Sequence, residues 1–513
     1  MRVSSRRKLG GGFILLLLLL IVVVVSGGAA AFPAVAHAAN ITYNLYATDG
    51  YIPLADGASV YNYGFVGGRQ GQSLTYMPSV TPTGAVDYDP ATGAGSGVHP
   101  GFTYNPPVTV ATGAPAPTGG PVTAAEQQFA GNCQFPAPLI YCAIGDVVTI
   151  RLKNLGTTVP TAPDDPHSIH LHGLDVGAAN DGVPETSVGA VSANAKDANG
   201  NPLPGAGNVV VYMFKANRTG SSMYHCHQEA DIHVQMGMYG ALVVYNSSDA
   251  ARVGGPGSNK GGTQWGWCYN KETVMLLSEM DTRQHGSEEV SGPYNPVDYK
   301  PQYWFINGLS FPNTIHVGLP GATGWQDWIA SHPGYDPYIV GSVSRTQTSS
   351  AVPKGDKVLL RVVNMGYEVQ PMHMHGFHAK IIGSDQRPWP WANLGQSTAW
   401  GKGMEKNTLT IGSGETYEWL INMGLQSTSS TYPVDTQTRY DPATGLPTSN
   451  TATGNPVISD MGGVPYIGGP VVTGAQGLPT IGQLFPFHNH DDYKATNNGV
   501  YPGGQFTMIE TLP

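Results

Sequence analysis

The sequence predicts an all-β protein made of two homologous β-domains, and three observations carry that prediction. Gly and Pro number 68 and 41 in 513 residues while charged residues are only 12%, a composition rich in turns and poor in amphipathic helix. Short Val/Ile/Tyr/Thr runs recur between the turn residues, as strands require. One pattern (strand, histidine cluster, further strands, second histidine cluster) occurs twice, the mark of a duplicated unit. A chain of this length holds two to four domains, each with its own core.

The chain opens with a leader. Arg2, Arg6, Arg7 and Lys8 precede the apolar run Phe13–Val25 and the small residues ending Ala36-His37-Ala38. Residues 1–38 therefore read as a signal peptide cut after Ala38, with an uncleaved membrane anchor as the alternative. Ser5-Arg6-Arg7-Lys8-Leu9 resembles a twin-arginine export signal, whereas the apolar core fits the general secretory route, and the route stays open. The expected location is exported: periplasmic, cell-envelope or secreted. No second stretch is long enough to span a bilayer, so no stable membrane contact is expected after cleavage. The formal charge of −10 includes these four leader cations and no leader acid, so the remainder carries −14. Such a surface disfavours nucleic acid and anionic membrane as partners.

The first domain is expected over 39–253. Its segment 80–125 is rich in turn residues and suggests no function. Gly145-Asp-Val-Val-Thr-Ile-Arg-Leu-Lys-Asn-Leu155 alternates apolar and other residues as a half-buried strand does. The cluster His167-Ser-Ile-His170-Leu-His172 follows, and His225-Cys226-His227 closes the unit. Of four cysteines, Cys133, Cys142 and Cys268 are open to disulfide pairing after export, Cys133 with Cys142 or either with Cys268, and the sequence does not choose. Cys226, between two histidines, is a metal-ligand candidate instead. Residues 254–270 read as a linker, Gly/Ser/Asn-rich over Gly254–Gly266. The second domain, 271–513, repeats the scheme with Gly355-Asp-Lys-Val-Leu-Leu-Arg-Val-Val-Asn-Met365, Gln370-Pro-Met-His373-Met-His375 and His488-Asn489-His490. Its residues 425–480, rich in Ser, Thr, Gly and Pro, read as an inserted surface region.

The chemistry lies in the clusters. Alternate residues of a strand share a face, so each H-x-H pair presents two imidazoles side by side. The pairs 170/172, 225/227, 373/375 and 488/490 supply eight imidazoles, enough for three metal ions. A lone pair of this kind is usually a solvated strand face; four in a repeat are not. The first half adds His167, Cys226, His233 and Met238, the donor set of a blue copper centre with a long axial thioether bond; Met236 is the alternative axial ligand. The second half has Gln370 in place of His167 and Asn489 in place of Cys226, so one such centre per chain is expected.

These clusters resemble those of the multicopper oxidase family, particularly two-domain, laccase-like members with the blue copper in domain one, and the likeness spans most of the chain after the leader. The resemblance implies cupredoxin-like Greek-key β-sandwiches. It implies a type 1 copper on His167, Cys226, His233 and Met238, a type 2 copper on His170 and His373, and a type 3 pair on His172, His225, His227, His375, His488 and His490. It further implies Glu229 and Asp181 as proton-relay acids, dioxygen as electron acceptor, and a phenol, aromatic amine or metal ion as reductant. Two-domain relatives close the cluster between subunits, so a homotrimer is the expected assembly, with a monomer pairing its own two domains as the alternative. One departure stands out: five residues separate His227 from His233 where three are usual in the family. The competing expectations are a two-domain copper nitrite reductase, which needs one type 2 copper on three histidines, and a non-enzymatic copper-binding protein. No acidic cluster is visible in the sequence to favour a metal-ion substrate over a phenol.

Overall fold

The structure is a computed structural model, described over residues 38–246, 261–315, 324–342, 355–392, 402–424 and 483–512. Residues 1–37 of the expected leader, the whole 425–480 segment and residues 254–260 of the expected linker lie outside the described residues. Ala38–Pro513 forms one compact unit.

The first sandwich uses β1 (Asn40–Pro53), β2 (Ser59–Arg69), β3 (Ile140–Ala143), β4 (Val147–Asn154), β5 (His170–Leu171), β6 (Val209–Lys215), β7 (Gly220–His225) and β8 (Tyr239–Tyr245), with the short helix α1 (Ala230–His233) between the last two. One sheet has the order β6-β4-β1-β2 and the other β3-β8-β7-β5. A hairpin of β9 (Gly262–Gln264) and β10 (Trp267–Tyr269) follows. Trp267 is fully buried, so this part of the expected linker packs rather than spaces.

The second sandwich comprises β11 (Lys271–Met280), helix α2 (Thr282–Val290), β12 (Tyr303–Ile306), β13 (Ile339–Ser342), β14 (Lys357–Asn364), β15 (Gln370–Met374), β16 (Ala379–Ser384), β17 (Arg387–Pro388), β18 (Glu405–Lys406), β19 (Thr408–Ile411), β20 (Thr416–Asn422), β21 (Gln483–Asn489) and β22 (Phe506–Leu512). Its sheets run β12-β11-β14-β20-β16-β17, with β18 on β16, and β13-β22-β21-β15-β19. The first sandwich's orders recur inside these as β20-β14-β11-β12 and β13-β22-β21-β15. The parallel pairs recur too: β1 with β4 and β11 with β14, β3 with β8 and β13 with β22. Both are cupredoxin-like Greek-key sandwiches, strands crossing repeatedly between two facing sheets.

The two strands expected from the repeat form as β4 and β14. On β4, Val148, Ile150 and Leu152 are fully buried and face Leu242 and Val244, the alternation of a strand with one core face. All eight residues of β14 are buried, because β7 of the first sandwich and the β9–β10 hairpin cover its second face. Arg361 sits there, its Nε 2.8 Å from Glu272 and a guanidinium nitrogen 3.6 Å from Glu418. A core shared by both sandwiches, with Met223, Ala241 and Val243 against Val274, Leu276, Phe305 and Trp328, locks them together.

Cys133, Cys142 and Cys226 are buried free thiols, so none of the disulfides that the sequence left open for Cys133 and Cys142 is present. Cys133 sits over the Asn62 carbonyl, 3.6 Å away, while Cys142 lies in the first sandwich core on β3; each packs as a small apolar side chain. No described helix is long and apolar enough to cross a membrane.

Candidate metal centre

The end of β7 organises two sites back to back. His225, Cys226 and His227 are consecutive, so the thiol projects to one side of the strand and both imidazoles to the other.

On the thiol side, Cys226 Sγ lies 3.4 Å from His233 Nδ1 and 3.9 Å from His167 Nδ1. Helix α1 delivers His233 and the loop before β5 delivers His167. The Ser168 N–H donates to Cys226 Sγ at 3.4 Å, and the Ser168 hydroxyl accepts the His227 N–H at 3.1 Å. Burial pushes the Cys226 thiol up to about 12 and lowers His233 to about 4, with His167 also well below the usual range. The imidazoles are therefore neutral, with lone pairs free, and a bound cation displaces the thiol proton. The β7–β8 ladder pairs His225 with Tyr239, and one step on the Cys226 N–H donates to the Met238 carbonyl at 3.0 Å. Cross-strand partners face the same side, so the register favours Met238, fully buried, over Met236 as the thioether beside the thiol. A thiol, two neutral imidazoles and a thioether in a dry site suit copper.

On the other side, β5 pairs with β7 and sets His170 opposite His225. His172 Nε2 and His225 Nε2 are 3.0 Å apart, and the His170 and His227 ring centroids are 5.2 Å apart. His170 Nδ1 donates to the Asp181 carbonyl at 2.8 Å, with Asp181 Oδ1 at 3.3 Å; His225 Nδ1 donates to the Cys226 carbonyl at 2.8 Å. Each anchored Nδ1–H leaves a bare Nε2, the tautomer a metal needs. Burial, then neighbouring imidazoles, lower His172 to about 4 and His225 to about 3.

The second sandwich repeats this set residue for residue. His373 stands opposite His488 on β15 and β21, and His375 Nε2 is 3.1 Å from His488 Nε2. His373 Nδ1 is held by Thr408 Oγ1 at 2.8 Å and the Asn407 carbonyl at 3.0 Å, and His488 Nδ1 by the Asn489 carbonyl at 2.8 Å. His490 lies beside His373 with ring centroids 5.1 Å apart. Behind it, where the first half has its thiol site, Asn489 donates to Gln370 at 2.7 Å and to Gln505 at 2.7 Å, while Gln370 donates to Glu279 at 2.6 Å. An amide network fills the position.

Among the described residues, the close imidazole contacts join members of one set and none crosses between the two. A single chain thus presents two four-imidazole halves instead of one eight-imidazole centre. The shared core around Met223 and Val274 sets how the sandwiches pack, and it leaves His375 and His490 exposed.

Of the expected relay acids, Asp181 touches His170 as described. Glu229 does not stand with the paired imidazoles: its carboxylate groups with Asp165 and His233 on the thiol side. Its backbone, at φ +42°, turns the chain there. Asp165 Oδ2 is 4.0 Å from His233 Nε2. Burial, then Glu229, raises Asp165 to about 6, and burial, then Asp165, raises Glu288 to about 7. An acidic rim missing from the sequence reading therefore borders the thiol site, contributed by the His167 loop, α1 and α2.

A family model described as multicopper oxidase matches residues 114–248 and 332–423. A copper resistance protein A homolog of Pseudomonas syringae pv. tomato is 33% identical over 216 residues, covering 42% of this chain and 30% of that protein. An L-ascorbate oxidase of Nicotiana tabacum is 29% identical over 181 residues, covering 34% of this chain and 25% of that protein. The matches thus span about a third or less of these relatives. The crystal structure of a blue copper oxidase from Nitrosomonas europaea aligns over 92% of this chain and 85% of its own, at 19% identity and a TM-score of 0.47.

Proposed function

We propose that the chain is a member of the multicopper oxidase family, as the family model over residues 114–248 and 332–423 supports, and that it is an exported, laccase-like oxidase that takes single electrons from a small reductant and reduces dioxygen to water. In this reading residues 1–38 are a leader and 39–253 and 271–513 are two domains. His167, Cys226, His233 and Met238 hold a type 1 copper. His170 and His373 hold the type 2 ion, and His172, His225, His227, His375, His488 and His490 hold the type 3 pair. Bound copper supplies the one-electron steps and the positive charge that dioxygen reduction needs.

The chain's own residues do the rest. Cys226 is covalently joined to His225 and His227, so the backbone itself is the short conductor between the thiol and the imidazole set. Carbonyls of Asp181, Cys226, Asn407 and Asn489 fix the imidazole tautomers, and the Asp181 carboxylate is the acid beside His170. Asp165, Glu229 and Glu288 place negative charge beside His233, which attracts cationic reductants such as a divalent metal ion. The observation that carries the reading is the matched register of the two imidazole sets, His170 opposite His225 and His373 opposite His488, with a thiol behind only the first. Each set is half of a centre, so closure requires a second copy, and a head-to-tail homotrimer is the assembly that closes.

Copper-loaded protein tests this directly. Blue absorption, separate type 1 and type 2 spin-resonance signals, and oxygen uptake with a phenol or ferrous ion are expected. Cys226→Ser should remove the blue band and turnover while leaving the type 2 signal. Nitrite consumption without oxygen uptake would replace this reading by a nitrite reductase, and copper binding without any turnover by a copper-binding protein.

A further inference from the structure

The thiol site is sealed. Cys226 and His233 are 0% exposed and His167 4%, so a bulky neutral reductant cannot touch either imidazole. One continuous aromatic path leaves it. The Tyr63 ring centroid is 5.7 Å from that of His233 and 5.9 Å from that of His167. Tyr61 is 5.5 Å from Tyr63, and Tyr51 is 5.5 Å from Tyr61. These separations are those of rings in contact. The register builds the path: Tyr61 and Tyr63 are alternate residues on one face of β2, and Tyr51 on β1 stands directly opposite Tyr61. Tyr61 and Tyr63 are buried. Tyr51 is half-buried and lines a cleft with Met77, Phe135, Phe305, Leu309 and Trp328.

Each phenol also has a carboxylate at its hydroxyl. Tyr51 donates to Glu289 at 2.8 Å, Tyr61 to Asp49 at 3.0 Å and Tyr63 to Glu288 at 3.4 Å. Packing alone has no need of three consecutive phenol–carboxylate pairs in a line. A phenol that loses an electron must also shed its proton, and here each has an acceptor in place.

We propose that Tyr63, Tyr61 and Tyr51 form an electron inlet from the Tyr51 cleft to the Cys226 site, and that the cleft takes a neutral aromatic reductant of phenol size. The inference rests on the reading of Cys226, His167 and His233 as the ligands of an oxidising copper. Tyr63 gives an electron inward through the adjoining imidazole ring and its proton to Glu288. Tyr61 reduces the Tyr63 radical, whose proton returns from Glu288, and passes its own proton to Asp49. Tyr51 does the same for Tyr61, with Glu289 as its acceptor. The phenol in the cleft then reduces the Tyr51 radical and releases its proton to solvent. The net change is one electron moved from phenol to copper, with every tyrosine restored. Cationic reductants have the acidic rim at Asp165 as a separate approach.

The test uses the full-length, copper-loaded protein and the variants Tyr61→Phe and Tyr51→Phe, which keep the ring and remove the phenol. Protein reduced, reoxidised with oxygen in the absence of substrate and freeze-quenched should show a tyrosyl radical by spin resonance. Both variants should lower that signal, and kcat/KM for 2,6-dimethoxyphenol should fall about ten-fold or more. The blue absorption, which reports the fold around Cys226, should be unchanged. Unaltered phenol turnover and radical signal in both variants, with the blue band intact, would overturn the inlet alone. Lack of a blue band in the unsubstituted protein would overturn the reading of the Cys226 site and the inlet with it.

Discussion

Gly182 has φ +77°, and a Cβ there would lie 2.1 Å from the Ile169 carbonyl oxygen. That position follows Asp181, whose carbonyl and carboxylate hold His170 Nδ1. Gly182→Ala must strain the backbone and push apart the two segments that fix this imidazole, a cost of roughly 1–3 kcal/mol. The expected outcome is a lower melting temperature and an altered or missing type 2 spin-resonance signal, with the blue absorption kept, since Cys226 faces the other side of β7. Residues of this kind show what the sequence could reveal. The H-x-H pairs were legible because strand periodicity is local: alternate residues share a face wherever the strand runs. The replacement of the second thiol site was legible for the same reason, since Gln370 and Asn489 occupy repeat positions. Glu229 was misplaced because counting along the chain from His227 ignores the left-handed turn that carries its carboxylate to His233. Asp165 and Glu288, more than a hundred residues apart, meet only through packing of α2 on β2, and no local pattern announces that.

Strand β11 shows what an element adds. Glu272 and Glu279 are both buried on it, but in different company. Glu272 receives Arg361 Nε at 2.8 Å and the Tyr245 hydroxyl at 2.7 Å. Arg361 also faces Glu418, which burial raises to about 7 and whose Oε1 accepts the Ser221 N–H at 2.6 Å; Ser221 belongs to β7, the strand that leads to Cys226. Arg361→Met strips two buried carboxylates of their guanidinium, and a loss of about 3–5 kcal/mol in unfolding free energy is expected, read by urea titration. Among the described residues Glu279 accepts N–H and O–H donors but faces no cation, and burial raises it to about 7. A carboxyl whose folded value is raised is protonated in the folded chain while the unfolded chain has already ionised. Its stabilising effect is complete below the usual glutamate range and is lost as pH climbs to about 7. Unfolding free energy should therefore decline between pH 4.5 and 7 by at most roughly 3 kcal/mol from this group. Glu279→Gln should flatten that slope, and an unchanged slope would mean that Glu279 is ionised throughout. The alternation on β4 was readable in its sequence. The full burial of β14 was not, because its second face is covered by β7 and the β9–β10 hairpin.

At the scale of the whole molecule, the duplicated strand order was visible as a duplicated motif order, whereas the separation of the two imidazole sets was not, because it depends on how one sandwich docks on the other. That separation yields the strongest test of the assembly. If the centre forms between neighbouring subunits, each site takes His170, His172, His225 and His227 from one chain and His373, His375, His488 and His490 from the next. A variant with His170 and His172 changed to Ala then has intact second sets only, and a variant with His373 and His375 changed to Ala intact first sets only. Each alone should be inactive with its blue band preserved, because Cys226, His167 and His233 are untouched. When the two are unfolded together, refolded at equal amounts and loaded with copper, random head-to-tail rings place an intact first set against an intact second set at about one interface in four. Oxygen uptake should return to about a quarter of the unsubstituted level, and sedimentation should give a trimer mass. No recovery from a properly trimeric mixture would mean that each chain closes its own centre, and a monomeric mass with full activity in the unsubstituted protein would say the same.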